Sequence, residues 1–365
     1  SEKFPNEAQG IGRLFDVMKS IYEEKISSPG PALLKYRDRT FKELLDEYII
    51  DERLKTFIAF SSIEDTGLPP SQASAVSCAR AIISHLFQGL FWPKGGPQAL
   101  TDTLVRGLQN FGGELELGTK VTKIIVEDTK AVGIRTEDGK EIKANYVISN
   151  AAARQSYIEL VGEEHLKPDF AARLRQMELF PSGFVAYLGV DLDPREAGIT
   201  ANEVEICETL DLDEAYKPLS QGNFPPLFFS IMAPSLVDST LAPQAKHVIN
   251  IFAYAPYHLK GRTWKEEKAN LTDELINKAE RVIPNLSQHI IVKDSATPLT
   301  MERYTLNTDG SIMGWAHRPQ QYSNMLARKG PIANLYLTGQ WTSPGGGILP
   351  VFANGMRTAR LVLGK

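Results

Sequence analysis

The part of this chain best suited to chemistry lies near its C-terminal end, and it is main chain more than side chain. Leu335-Tyr336-Leu337-Thr338 reads as a short buried strand, Gly339 closes it, Gly345-Gly346-Gly347 follows, and a helix runs from about Leu349 to Leu363. Glycine lets the backbone come close to a flat ligand because no Cβ intervenes. The first turn of the helix offers unpaired N–H groups and the positive end of the helix dipole, both of which favour negative charge. Pro350 fits that turn, where its missing N–H costs nothing. The arrangement suits a planar ligand that gathers negative charge along one edge. Reactive side chains are sparse by comparison: no paired carboxylates, serine triad or metal-ligand spacing stands out. His85 and His317 are isolated candidates for proton donors, and each has an ordinary structural alternative. Cys78 and Cys207 lie far apart, as expected of buried thiols kept reduced in a cytosol.

The elements that must position this turn alternate in kind. Residues 1–90 read as helical: Ile11, Leu14, Phe15, Met18, Ile21 and Tyr22 fall on one face of a helix over 10–26, which Ser27-Ser28-Pro29-Gly30-Pro31 ends. Thr40 and Glu43 have the spacing of a capping box. Further helices are predicted over 52–61 and 71–86. After the breaker-rich loop Phe91-Trp92-Pro93-Lys94-Gly95-Gly96-Pro97, a helix over 98–110 stops at Gly112-Gly113. Short alternating segments follow at 114–117, 121–127, 131–136, 141–143 and 146–149, and Asp138-Gly139 marks a hairpin. They predict one antiparallel meander. Residues 151–177 read as helix. Strands are then expected over 183–192, 227–233, 247–255 and 289–296, and a helix over 265–281.

A length of 365 residues implies two lobes. The chain is 42% hydrophobic and 23% charged, with a formal net charge of -4 and scattered basic residues, so nucleic acid is not an expected partner. No window approaches the roughly 18 apolar residues of a membrane span. The polar start, Ser1 to Gln9, is no signal peptide, so a cytoplasmic location is expected.

The turn at 334–359 resembles the C-terminal flavin motif of the phytoene desaturase, carotenoid isomerase and retinol saturase family: a strand ending in Gly, a polar residue, then Pro-Gly-x-Gly before the last helix. Two more segments match in order. Val121-Thr-Lys-Ile124, Gly133 to Gly139 and Ala144 to Ala151 resemble the family's meander, with Asn145 in place of the usual Asp. Trp92-Pro-Lys-Gly-Gly96 resembles its Pro-x-Gly-Gly loop near the flavin and the substrate entrance. The resemblance covers nearly the whole chain. It implies FAD as cofactor, with Gly346, Gly347, Ile348 and Leu349 against the isoalloxazine ring. Gly339 and Gln340 would lie near the ribityl and pyrophosphate chain, and Val121 would meet the adenine through its backbone. Gln340 stands where many related flavoproteins have an acidic residue. Hydride transfer between flavin N5 and a long apolar polyene is the implied chemistry, in an apolar tunnel. Phe87, Phe91, Trp92, Trp315 and Trp341 are candidate tunnel residues, and contact with a membrane surface follows from the substrate class.

The same resemblance predicts an opening strand, G-x-G-x-x-G loop and acidic ribose ligand, and none of these is in the sequence. Gly10-Ile-Gly12-Arg-Leu-Phe15 lacks the third glycine and lies in an amphipathic helix. Together with a start on Ser1, this leads to the expectation of a fragment with an incomplete FAD site. The expected fold class is α+β, with a discontinuous flavin lobe (91–155 and 297–365) and a substrate lobe (1–90 and 156–296). Two other readings stay open: an amine or porphyrinogen oxidase of the same superfamily, and a non-catalytic isoprenoid-binding protein.

Overall fold

The first ninety residues fold as the apolar spacing requires. The structure, a computed structural model, describes residues 2–26, 28–200 and 202–364, so Ser1 and the leading Ser27 of the predicted breaker lie outside the described residues. Helix α1 (Ala8–Glu23) buries Leu14, Met18 and Ile21 completely. After α2 (Pro31–Tyr36), helix α3 (Phe41–Asp46) opens with both halves of the Thr40–Glu43 capping box formed. Helix α4 (Glu52–Thr66) is capped by the Asp51 carboxylate, which accepts from the Arg53 and Leu54 amides. It runs past the expected end to Gly67, whose φ of 58° supplies the left-handed stop that the residues before it lack. Helix α5 (Ala75–Gln88) starts later than expected because Ser74 takes the cap position, its hydroxyl accepting from Ser77 N. All five helices contribute to one apolar cluster.

Helix α6 (Gly96–Asn110) leads to strands β1 (Val121–Glu127), β2 (Lys130–Thr136), β3 (Glu141–Lys143) and β4 (Val147–Ser149). Only the first three form the antiparallel meander. Residues 114–117, expected as a strand, are irregular. The stretch expected at 146–149 also differs, since β4 leaves the meander and pairs in parallel with a distant segment.

A π-helix (Gln155–Gly162) and α7 (Pro168–Gln176) fill the predicted helical region. Next come β5 (Ser182–Val190), β6 (Glu203–Cys207), α8 (Leu212–Ser220), β7 (Phe228–Met232), β8 (His247–Ala255), α9 (Trp264–Ala279) and β9 (Ile290–Ala296). The strands form an antiparallel sheet in the order β6-β7-β8-β5-β9. Helix α9 covers one face, where Trp264 stacks on Phe184 at 5.7 Å and donates from Nε1 to Tyr257 O at 2.9 Å. From the other face Tyr254 joins the cluster of the N-terminal helices. Helices α10 (Pro298–Thr305) and α11 (Pro319–Ser323) precede β10 (Leu335–Leu337) and α12 (Ile348–Val362).

Strand β10 is the parallel partner of β4, with Leu335 opposite Val147 and Leu337 opposite Ser149. A third apolar cluster surrounds this pair, combining Ile124 of β1, Tyr157 of the π-helix, Leu174 of α7, Trp315 and Trp341. Residues 156–177, assigned from sequence to the substrate lobe, pack with β1, β4 and β10, which the sequence assigned to the other lobe. Among the described residues, no helix is long and apolar enough to cross a membrane.

Candidate functional site

The site is built where β10 ends. The backbone turns through a single 3-10 turn (Gly339–Trp341) and an irregular stretch to Gly347, the N-cap of α12. Gly339 (φ 73°), Gly345 (φ 106°) and Gly347 (φ 101°) adopt conformations that side chains rarely allow. Close approach also requires glycine here. A Cβ at Gly339 would lie 1.9 Å from Asn150 Oδ1, one at Gly345 2.7 Å from His317 Nε2, and one at Gly346 2.6 Å from Met313 Cβ. One side of the turn is thus pressed onto residues 313–325 and the end of β4. The other side is open: a Cβ at Gly347 would meet only Pro350, and Ile348 and Leu349 are 61% and 62% exposed. No side chain caps α12. The first turn of such a helix has amides without an intrahelical partner, and here they lie beside the exposed apolar pair, a shelf that could receive a flat ligand with an anionic edge.

A buried amide fixes the shelf. Asn354 is the fully buried polar residue of α12, one turn beyond Pro350. Its Nδ2 donates to Gly339 O at 2.8 Å and lies 3.4 Å from Thr342 O, while its Oδ1 accepts from Arg328 Nη2. Arg328 also donates to Ser343 O. Only this amide orientation gives each group a partner of opposite kind. Thr358, one helical turn on, donates to Asn354 O at 2.8 Å and reaches Thr338 Oγ1 at 3.2 Å. Gly339 O, at the start of an irregular loop, is in this way paired to the helix.

His317 meets the turn from below. It is buried and its Nδ1 lies 2.8 Å from Ser77 Oγ of α5, while its own carbonyl accepts from Ser74 N at 2.8 Å. Phe180 and Tyr322 pack edge-on against the ring. Burial pushes its pKa down to about 4, so it is neutral at physiological pH. Its Nε2, beside Gly345, is buried without a hydrogen-bond partner.

The remaining sequence candidates separate. Trp315 and Trp341 are fully buried in the core, packed edge to face at 5.0 Å, with Trp315 Nε1 donating to Trp341 O at 3.2 Å. They support the turn from inside instead of lining an open tunnel. Phe87 and Phe91 are exposed, and Trp92 is half-buried. His85 pairs with Asp65 at 3.6 Å, away from the turn. Gln340 is half-buried, its carbonyl pressed on Gly314. Val121 begins β1, opposite Thr136. Asn354, Arg328 and Asn150 went unnoticed in the sequence. An Asn inside an otherwise apolar helical stretch was the one signal for the first of them.

Comparison with known proteins bears on the chain as a whole. A family model described as flavin containing amine oxidoreductase matches residues 6–363. Prolycopene isomerase of Daucus carota is 26% identical over 393 residues, covering 99% of this chain and 62% of that protein. The lycopene-forming phytoene desaturase of Pseudescherichia vulneris is 26% identical over 385 residues, with 98% and 76% covered. All-trans-retinol 13,14-reductase of Danio rerio is 25% identical over 334 residues, with 84% and 54% covered. The chain spans 62–64% of the prolycopene isomerases it matches. Among solved structures, an oxidoreductase from Methanosarcina mazei superposes with a TM-score of 0.63 at 18% identity (91% and 71% covered). Putrescine oxidase bound to putrescine gives 0.64 at 14% identity (99% and 76% covered), a likeness of fold alone.

Two outcomes follow from the site. Asn354→Ala should destabilise the protein by about 1–3 kcal/mol in urea unfolding, since it removes the buried amide that joins Gly339 O to α12 and to Arg328. A loss below about 0.5 kcal/mol, the range of surface changes, would contradict the network. His317 is neutral when folded but titrates normally, near pH 6.5, when unfolded. The unfolded state therefore binds the extra proton, and stability falls as pH drops from about 6.5 to about 4. His317→Gln should flatten this acid limb by roughly 3 kcal/mol. An unchanged limb would show that His317 is solvated.

Proposed function

Because this chain belongs to the family of flavin containing amine oxidoreductases, we propose that it is the greater part of an FAD-dependent oxidoreductase acting on a carotenoid- or isoprenoid-like polyene. One observation carries the proposal: a glycine turn packed on one side and open on the other, ending in a helix with no side-chain cap at its N-terminus. These features fit a flavin. The amides of Ile348 and Leu349 would donate to the pyrimidine edge, and their apolar side chains would lie along the ring. Bound there, FAD would supply hydride exchange at N5. The protein's share is orientation and electrostatics: Asn354 and Arg328 set the height of the shelf, and neutral His317 puts no charge beneath it. A desaturase, isomerase or saturase needs no acid–base pair for such a substrate, in keeping with the uncharged surroundings. The similarity to a prolycopene isomerase, a phytoene desaturase and a retinol reductase favours polyenes over amines.

The flavin lobe is proposed to combine residues 91–177 with 297–365, leaving the N-terminal helices and the five-stranded sheet to the substrate. Its parallel sheet has two strands, and the second edge of β4 carries no partner among the described residues. Parallel sheets are normally covered on both faces, yet Ile148 of β4 is half exposed. A further strand–loop–helix unit beside β4 would complete the sheet and cradle the pyrophosphate. The purified 365-residue chain is therefore expected to retain FAD substoichiometrically. A gene product extended upstream should show the oxidised-flavin absorbance band, and anaerobic addition of a polyene, or of its reduced form, should change that band. Stoichiometric FAD on this chain alone would remove the idea of a missing cradle. An extended protein without flavin would remove the enzyme reading.

A further inference from the structure

A large apolar cavity lies away from the glycine turn, between the N-terminal helices and the edge of the five-stranded sheet. Its volume is about 800 Å³, within the range of pockets for small organic ligands. Three segments wall it: Phe4 and Ile11 from the start of the chain and α1, Phe57 and Phe60 from α4, and Cys207 at the end of β6 with Leu210 from the connection to α8. A bond from Thr56 Oγ1 to Leu210 O (2.8 Å) ties two of these walls together. The charged residues of the lining are Glu2, Lys3, Arg53 and Glu205, two of each sign. Phe57 is 73% exposed and Leu210 66%. Large apolar side chains gathered in a concave surface mark a binding site rather than an ordinary exterior.

What sets this cleft apart is where its floor leads. Phe60 meets Phe228 edge to face at 5.2 Å, and Phe228 stacks on Tyr254 at 6.2 Å and 12°. Phe228 and Tyr254 line a second, smaller cavity of about 50 Å³ directly behind that pair. Tyr254 touches Phe180 at 5.8 Å, Phe180 touches His317 at 5.8 Å, and His317 Nε2 sits beneath Gly345. A row of ring contacts thus joins the outer cleft to the underside of the glycine turn.

We propose that this cleft is the docking site for one end of a long, uncharged conjugated hydrocarbon chain, with Phe60 and Phe228 as the partition between it and the interior. The class of ligand rests on the polyene reading given above; the position of the site does not. Flat sp² chains gain dispersion and quadrupole contact on aromatic faces, and a floor without charge rejects ionic ligands by leaving them desolvated. The location differs from the Phe87–Trp92 loop, which the sequence suggested as a tunnel wall.

Cys207 supplies a reporter in the cleft itself. It is half-buried, its thiol donates to Thr209 O at 3.0 Å, and burial raises its pKa. Cys78 is fully buried and serves as the unreactive internal control. Maleimide labelling of Cys207 in the purified chain should be measured with and without all-trans-retinol as the probe, while retinol fluorescence reports total binding. At a retinol concentration ten times its dissociation constant, mass action should slow labelling about ten-fold. Phe57→Glu and Leu210→Glu, both on exposed positions, should abolish the protection while thermal unfolding stays unchanged. Retinol that fails to bind, binds without protecting Cys207, or protects equally well in both variants would overturn the site. The reaction is judged separately, by electron exchange between polyene and flavin in the extended gene product. Protection without exchange keeps the cleft and removes the reaction; exchange without protection does the reverse.

Discussion

The molecule depends on a close approach of backbone to packed neighbouring residues that only glycine permits. Gly339 against Asn150, Gly345 against His317 and Gly346 against Met313 leave no room for a Cβ, so the turn between β10 and α12 can be held against the core. Glycine alone would make such a loop floppy, because it loses more conformational freedom on folding than any other residue. The Asn354 amide supplies the constraint, pairing Gly339 O with the helix and with Arg328. Packing then fixes one face of the turn and leaves the opposite face to a ligand. The buried pair Trp315 and Trp341 belongs to the same foundation, since an edge-to-face contact contributes about 0.5–1.5 kcal/mol beyond area burial.

The three apolar clusters divide the work. One belongs to the N-terminal helices, one to the sheet under α9, and one to the meander with the parallel strands. His317 lies against the first of them, its ring touching Phe180 and Tyr322 and its Nδ1 facing Ser77. A neutral imidazole there is compatible with a site that handles uncharged substrate and anionic reduced cofactor. A protonated one would add an unpaired buried charge directly under the turn, at a cost of several kcal/mol.

Much of this was legible in the residues. The Thr40–Glu43 capping box, the hairpin at Asp138-Gly139 and the strand His247–Ala255 rest on local chemistry and appear where the spacing puts them. So does the start of α12 beside Gly347. What escaped depends on distant partners. Strand β4 looked like a continuation of the meander because nothing within Val147–Ser149 reveals that its partner is Leu335–Leu337. The edge strand Glu203–Cys207 has polar residues on both sides and no flanking turn signal, and α8 contains Pro218, so neither stood out. Residue type gave the tryptophans their size but not their exposure, which is why two core residues were read as candidate tunnel walls. Asn354 was invisible because its value lies in the carbonyls it finds, two of them in the turn.

The proposed flavin site requires the first amides of α12, those of Ile348 and Leu349, to face the anionic edge of the bound ring. Isotope-labelled amide NMR of these two residues, with oxidised and then reduced FAD added to the chain, tests this most directly. Both signals should move, and further on reduction as negative charge develops beside the helix N-terminus. If they stay fixed while other amides respond, the flavin lies elsewhere and the glycine turn is only a packed corner of the fold.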